Sequence, residues 1–163
     1  MIDQPTMSWR CRPKQEWQDY NGHMGDFAFG IAFTEALDKF LFSVGFDDSY
    51  KNSTGNAIFT LETHLTFLGE CSVNEDLDIG TRIVDIDEKR LHLFLSMTDL
   101  NGREVATYEV MLMHVNTRRD QGKASAIAMP DEIFTKLKAA FERNSGEPRP
   151  KHAGASIGIR RNR

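Results

Sequence analysis

Between Asp26 and Gly45 the apolar residues Phe29, Phe33, Ala36, Leu37, Phe40, Leu41 and Val44 recur at the three- and four-residue spacing of one buried helix face. Gly45 stands where a helix commonly ends on a left-handed residue. The spacing predicts a long helix over roughly residues 24–45. From Ala57 the period drops to two: Leu61, Thr63, Leu65 and Phe67 alternate with Glu62, His64 and Thr66, as in a half-buried strand. A second strand at about 75–86 carries Leu77, Ile79 and Ile83. Asp87-Glu88-Lys89 turns it into a third, where Leu91, Leu93, Leu95 and Met97 alternate with His92, Ser96 and Thr98. Asn101-Gly102 predicts a hairpin with a type I′ turn. The strand from Glu104 to Val115 is apolar on both faces, with Val105, Met111 and Met113 on one and Val110 and Leu112 on the other, which suits a central position. Residues 7–13 read as a short strand ended by Pro13. Ile133, Phe134, Leu137 and Phe141 predict a second helix over 131–143, entered at Pro130-Asp131. The Asp-, Ser-, Asn- and Gly-rich stretch 46–57 reads as a mobile connection without an element of its own.

A helix apolar over so wide an arc must be wrapped, and four antiparallel strands follow it. The expected architecture is α+β, a curved antiparallel sheet wrapped around one long helix. A sheet this small leaves an edge open, so a homodimer or homotetramer is expected, through edge pairing or helix-side packing.

Composition adds limits. The 163 residues are 40% hydrophobic and 27% charged, the profile of one globular domain, assigned here to residues 1–143. Net charge is −4, yet the tail 144–163 holds Arg149, Lys151, Arg160, Arg161 and Arg163 against Glu147, so the acidity lies in the body. That balance argues against nucleic-acid binding. The basic tail is expected to be flexible, with contact to an anionic ligand or a neighbouring subunit as the alternative. No stretch approaches a membrane span, and Met1-Ile2-Asp3-Gln4-Pro5 lacks a basic region followed by an apolar run. Cys11 and Cys71 have neither metal-binding nor redox spacing. A cytoplasmic protein with reduced thiols, no metal and no cofactor is expected.

The chemistry concentrates in Asp19-Tyr20-Asn21-Gly22-His23-Met24-Gly25-Asp26, immediately before the long helix. The run places a carboxylate on a tight loop, supplies Asn and Gly for a turn, and ends at the N–H groups of a helix start. A turn or capping aspartate is the plain alternative for Asp19, as a turn glycine is for Gly22 and a structural histidine for His23. Glu35 and Asp38 interrupt the helix face and offer second carboxylates. Glu62 and His64 share a strand face and could either tune the acid loop or form a solvent-facing row.

The loop and the helix–sheet order resemble the hotdog-fold acyl-CoA thioesterases of the 4-hydroxybenzoyl-CoA thioesterase type, over roughly residues 8–143. That family carries Asp-x-x-Gly before its helix, matched here by Asp19 and Gly22. The longer string from Trp17 to Met24 is similar to a narrower branch, the betainyl-CoA thioesterases of carnitine breakdown. That branch usually has Asn after the Met, where this chain has Gly25. The resemblance implies that Asp19 is the catalytic carboxylate, as nucleophile or as general base. It also implies that a backbone N–H near Asp26, with Gly25 as its neighbour, polarises the thioester carbonyl. An acyl-CoA substrate follows, and a non-catalytic acyl-CoA sensor on the same fold is the rival class. A betainyl group would need aromatic faces and a carboxylate, for which Trp17 and Tyr20 are the candidates and Trp9 a weaker one. Asn21, Gly22 and His23 complete the substrate loop. Arg118, Arg119 and Lys123 are the cations available to the CoA phosphates.

Overall fold

The computed structural model describes residues 7–118 and 122–159. The elements are β1 (Met7–Cys11), a 3₁₀ turn (Gln15–Trp17), α1 (Asp26–Val44), α2 (Asp48–Thr54), β2 (Asn56–Phe67), β3 (Leu77–Ile86), β4 (Arg90–Thr98), β5 (Glu104–Asn116), β6 (Ser125–Ala126) and α3 (Asp131–Arg143). The main sheet runs β1-β3-β4-β5-β2, antiparallel at every step, with β6 attached to β5. The helix and sheet expected from the pattern are both present.

α1 buries Ala28, Phe29, Ala32, Phe33, Ala36, Leu37, Phe40 and Leu41. It ends as the sequence implies. Gly45 has φ +112°, its N–H donates to Phe42 O, and Phe46 N–H reaches back to Leu41 O at 2.9 Å. This paired closure satisfies two carbonyls the last turn would otherwise leave open. Against α1 lie Leu77, Ile79 and Ile83 of β3, Leu91, Leu93, Leu95 and Met97 of β4, and Val110 and Leu112 of β5, all buried. Two aromatic contacts fix the register of helix on sheet: Phe33 stacks on Tyr108 and Phe29 meets Phe67 edge-on, each with centroids 5.3 Å apart. β5 lies inside the sheet, between β4 and β2, which accounts for its apolar residues on both faces.

Three local expectations are corrected. Residues 48–54 form a helix, because Asp47 accepts the N–H of Tyr50 at 2.9 Å and Gly55 closes the end at φ +70°. The residues that read as loop are therefore caps. At the 101–102 hairpin only Gly102 has positive φ, at +77°, so the turn is not type I′. Asp99 accepts the N–H groups of Asn101 and Arg103 and holds a wider loop closed by Gly102. In β2 a bulge between Thr60 and Glu62 removes Leu61 from the face it was expected to share with Thr63, Leu65 and Phe67, and leaves it 53% exposed.

Residues 144–159 lie across the outer face of the sheet. Arg82, 8% exposed, donates to the carbonyls of Pro148 and Glu147, and Gly154 N–H donates to the Glu109 carboxylate. Phe94, paired with both Arg82 and Glu109 in the same row, is 4% exposed as a result.

Candidate active site

The acid loop is a small hairpin. Gln18 bridges Met24, Asp19 N–H donates to His23 O at 2.8 Å, and Gly22 N–H donates to Asp19 O at 3.1 Å. Gly22 has φ +87°, a conformation that a side chain disfavours, so glycine is needed to close the loop. The Asp19 carboxylate turns inward: Oδ1 accepts the N–H groups of Asn21 at 2.8 Å and His23 at 3.2 Å. Among the described residues Oδ2 accepts only the Asn21 amide, at 3.4 Å, a long and weak bond. Partial burial pushes the carboxyl pKa up, but the Asn21 and His23 N–H groups, the Asn21 amide and the His23 ring outweigh it. The acid is held below its ordinary range and is ionised at neutral pH.

Two backbone bonds tie the hairpin to the rest of the fold: Met24 N–H to Cys71 O at 2.9 Å and Gly25 N–H to Trp17 O at 2.8 Å. Gly25 is thus the extended cap of α1 with its own N–H already engaged. Asp26 opens the helix, and its carboxylate accepts the N–H of Phe27 at 2.7 Å. No protein acceptor for the Asp26 N–H occurs among the described residues. Of the two positions expected near the donor, Asp26 alone offers an uncommitted N–H, at the positive end of a 19-residue helix.

The structure therefore gathers Asp19, Asn21, Gly22, His23, Gly25 and Asp26 at one end of α1. His23 faces Glu70 at 3.7 Å, a residue the sequence pattern did not single out. Tyr20 stands in the same loop, 97% exposed. Trp17 is different. Its ring is 3% exposed, with the Lys14 ammonium 5.6 Å from its centre, so it is a core residue whose carbonyl, not its ring, serves the site. Arg118 is also displaced: it packs against Gly55, at the end of α2, while the acid loop lies at the other end of α1. A 19-residue helix separates the two by about 28 Å along its axis, so Arg118 does not reach Asp19 within one chain. Arg119 lies outside the described residues, and Lys123 is exposed in the connection leading to β6. Glu62 and His64 face the outer side of the sheet, lining a cleft of about 530 Å³ with His92, Glu109 and Arg149, away from the acid loop. Glu35 and Asp38 flank the buried face of α1. Burial, with the Glu35 charge added, raises the Asp38 carboxyl above its ordinary range.

Residues 13–140 match the model of the Thioesterase-like superfamily. This chain belongs to that superfamily. Among its relatives are the betainyl-CoA thioesterase of Pseudomonas aeruginosa, 32% identical over 88% of this chain and 89% of that protein, and the L-carnitine dehydrogenase/betainyl-CoA thioesterase of Agrobacterium fabrum, 36% identical over 95% of this chain. This thioesterase-like chain spans only 31% of the latter's length. Among solved structures, a Staphylococcus aureus protein determined in complex with CoA superposes with a TM-score of 0.86 at 30% identity, over 98% of each chain. The curved sheet around one helix is the hotdog fold expected of such a protein.

Phe27 stands beside this loop and was not singled out by the sequence pattern. It lies two positions before Phe29, off the buried stripe of the helix, and is 54% exposed. An apolar residue outside the stripe, one position after the helix start, was the available signal.

Proposed function

We propose that this protein is an acyl-CoA thioesterase and that its acyl group is betainyl, released as glycine betaine. The observation that carries the reading is the Asp19 carboxylate, ionised and fixed by backbone N–H groups, with Oδ2 held only by the Asn21 amide at 3.4 Å, before a helix whose Asp26 N–H has no acceptor among the described residues. A thioester is already reactive. It needs a positioned acid and a donor where the carbonyl oxygen gains charge. Asp19 Oδ2 would attack the carbonyl carbon to give a mixed anhydride that water then opens, or would take the proton from the attacking water. In either route the thiolate of CoA leaves and the elements of one water are consumed. The betainyl assignment is supported by the relatives' names and by the local charge. From Gln18 to Ile31 the residues include Asp19 and Asp26 but no Lys or Arg, which disfavours an anionic acyl group and suits a cationic one.

The working form is a homodimer. Among the described residues β2 ends the sheet and pairs only with β5, and Phe59, Leu61 and Phe67 along it are 44%, 53% and 50% exposed. Ile31 on α1 extends the apolar surface. Antiparallel pairing of β2 with a two-fold copy would set the Phe67 end of one strand beside the Asn56 end of the other. That arrangement would bring the copy's Arg118 toward this chain's acid loop and supply the cation that CoA phosphates need. Thiol release from a panel of acyl-CoAs, betainyl-CoA included, tests the function. Turnover on betainyl-CoA well above acetyl-CoA is expected, and no hydrolysis of any member would refute it.

A further inference from the structure

A bare α-carbon at Gly25 has a consequence for the acyl group. A β-carbon added there would stand 2.7 Å from Phe27 Cε1, closer than real side chains approach, and 3.0 Å from Cδ1, a tight contact. The Phe27 ring therefore lies folded back onto the Gly25 backbone, across the first turn of α1. Gly25 itself cannot easily shift, because its N–H is bonded to Trp17 O at 2.8 Å and its carbonyl accepts Ala28 N–H at 3.0 Å. The ring is seated, and yet the residue stays 54% exposed. Between the two residues of this pair stands Asp26, whose N–H is the free donor of the helix start.

We infer that Phe27, seated on Gly25, is the residue that selects an acyl group bearing a quaternary ammonium close to its carbonyl. The inference rests on the thioesterase reading and deepens it. In a betainyl thioester the cationic nitrogen is two bonds from the carbonyl carbon. If the carbonyl oxygen points at Asp26 N–H, the trimethylammonium head must lie against whatever surface adjoins the helix start, and that surface is the Phe27 ring. A quaternary ammonium has no hydrogen to donate, so an aromatic face is the neutral partner open to it. The Asp19 and Asp26 carboxylates add a field of the same preference. Tyr20 is the alternative aromatic, but at 97% exposure it buries almost none of its ring against this chain, and holding it on a ligand would cost rotamer entropy that the seated Phe27 ring has largely lost. Trp17 is buried, and its ring already has the Lys14 ammonium 5.6 Å from its centre. Gly25 acts only through Phe27, as a positioning residue.

The test compares betainyl-CoA with its uncharged isostere tert-butylacetyl-CoA, which has the same shape with carbon in place of the ammonium nitrogen. The ratio of their kcat/KM values, measured on one enzyme preparation, cancels any loss from partial folding. Phe27→Leu keeps an apolar side chain and removes the ring; the ratio is expected to fall by about twofold to thirtyfold, the range of one cation–aromatic contact. Gly25→Ala, which displaces the ring, should lower the ratio in the same direction, and the double variant should fall no further than Phe27→Leu alone. Tyr20→Leu should leave the ratio unchanged. An unaltered ratio in Phe27→Leu, or a fall in Tyr20→Leu instead, would overturn the inference while leaving the hydrolase intact. A wild-type protein that cleaves tert-butylacetyl-CoA but not betainyl-CoA would overturn both the inference and the betainyl assignment. Wild-type protein that cleaves neither would overturn the betainyl assignment and the inference with it, while the hydrolase reading is decided by the full acyl-CoA panel.

Discussion

Replacing Asp19 with Asn separates chemistry from architecture at this site. The loop depends on Oδ1, which accepts from Asn21 N–H at 2.8 Å and His23 N–H at 3.2 Å, and an asparagine carbonyl oxygen can keep both bonds. What changes is the other atom. Oδ2, held only by a 3.4 Å contact, becomes an amide nitrogen that neither attacks a carbonyl nor accepts a proton. The loss of a general base, or of a nucleophile in its place, is on the order of 100- to 10,000-fold in rate, or about 3–5 kcal/mol of barrier. Hydrolysis of any thioester the wild type accepts, followed by thiol release, should show that fall in kcat with KM nearly unchanged, because the acid faces the reacting carbon and not the CoA handle. Thermal unfolding of Asp19→Asn should lie slightly below the wild type, because the charge on the acceptor and the Asn21 amide bond to Oδ2 are lost while both backbone bonds remain. Asp19→Ala should melt lower, by the worth of the lost backbone acceptor, about 1 kcal/mol. Hydrolysis by Asp19→Asn within a few-fold of wild type would refute the assignment, and Glu35 would be the next carboxylate to replace.

Two further outcomes follow from other parts of the fold. Leu61→Lys places a charge at the exposed bulge of the edge strand, and sedimentation should show monomers with hydrolysis reduced in parallel; a variant still dimeric and fully active would exclude pairing through β2. The buried His114 receives the Tyr50 hydroxyl on Nε2 at 2.7 Å while its Nδ1 faces the Ala128 carbonyl at 3.0 Å, and burial pushes its pKa below 6.5 despite the carbonyls that oppose this. Because the folded state binds that proton less readily than the unfolded chain, stability is full above pH 6.5 and declines as pH falls through it. The slope is at most about 1.4 kcal/mol per pH unit, and denaturant melts of wild type and His114→Phe between pH 7.5 and 5.5 should differ by it. Equal slopes would show that His114 titrates alike in both states.

The long helix was legible because its information is local. A 3.6-residue apolar stripe and a glycine stop are properties of neighbouring positions, and so are the alternations of β3, β4 and β5. Asp19 and its turn glycine could be read for the same reason, since the loop's bonds join residues within four positions of one another. The sequence alone also carried the likeness to acyl-CoA thioesterases, through the run from Trp17 to Met24. Tertiary structure decided the rest. The bulge at Leu61 exists only in the pairing of β2 with β5, and no pattern within β2 marks where its faces exchange. Trp17 and Tyr20 are equally aromatic and flank the same acid, yet packing buried one to 3% and left the other in solvent at 97%. Arg118 is remote from Asp19 because α1 is a rigid rod of 19 residues and the two lie beyond its opposite ends. Phe27 acquired a role only when the backbone of Gly25 came under its ring, a contact between side chain and main chain that depends on how the helix start meets the acid hairpin. Periodicity specifies which face of an element is buried; which residues meet at its ends is settled by long-range contacts that the chain forms only when folded.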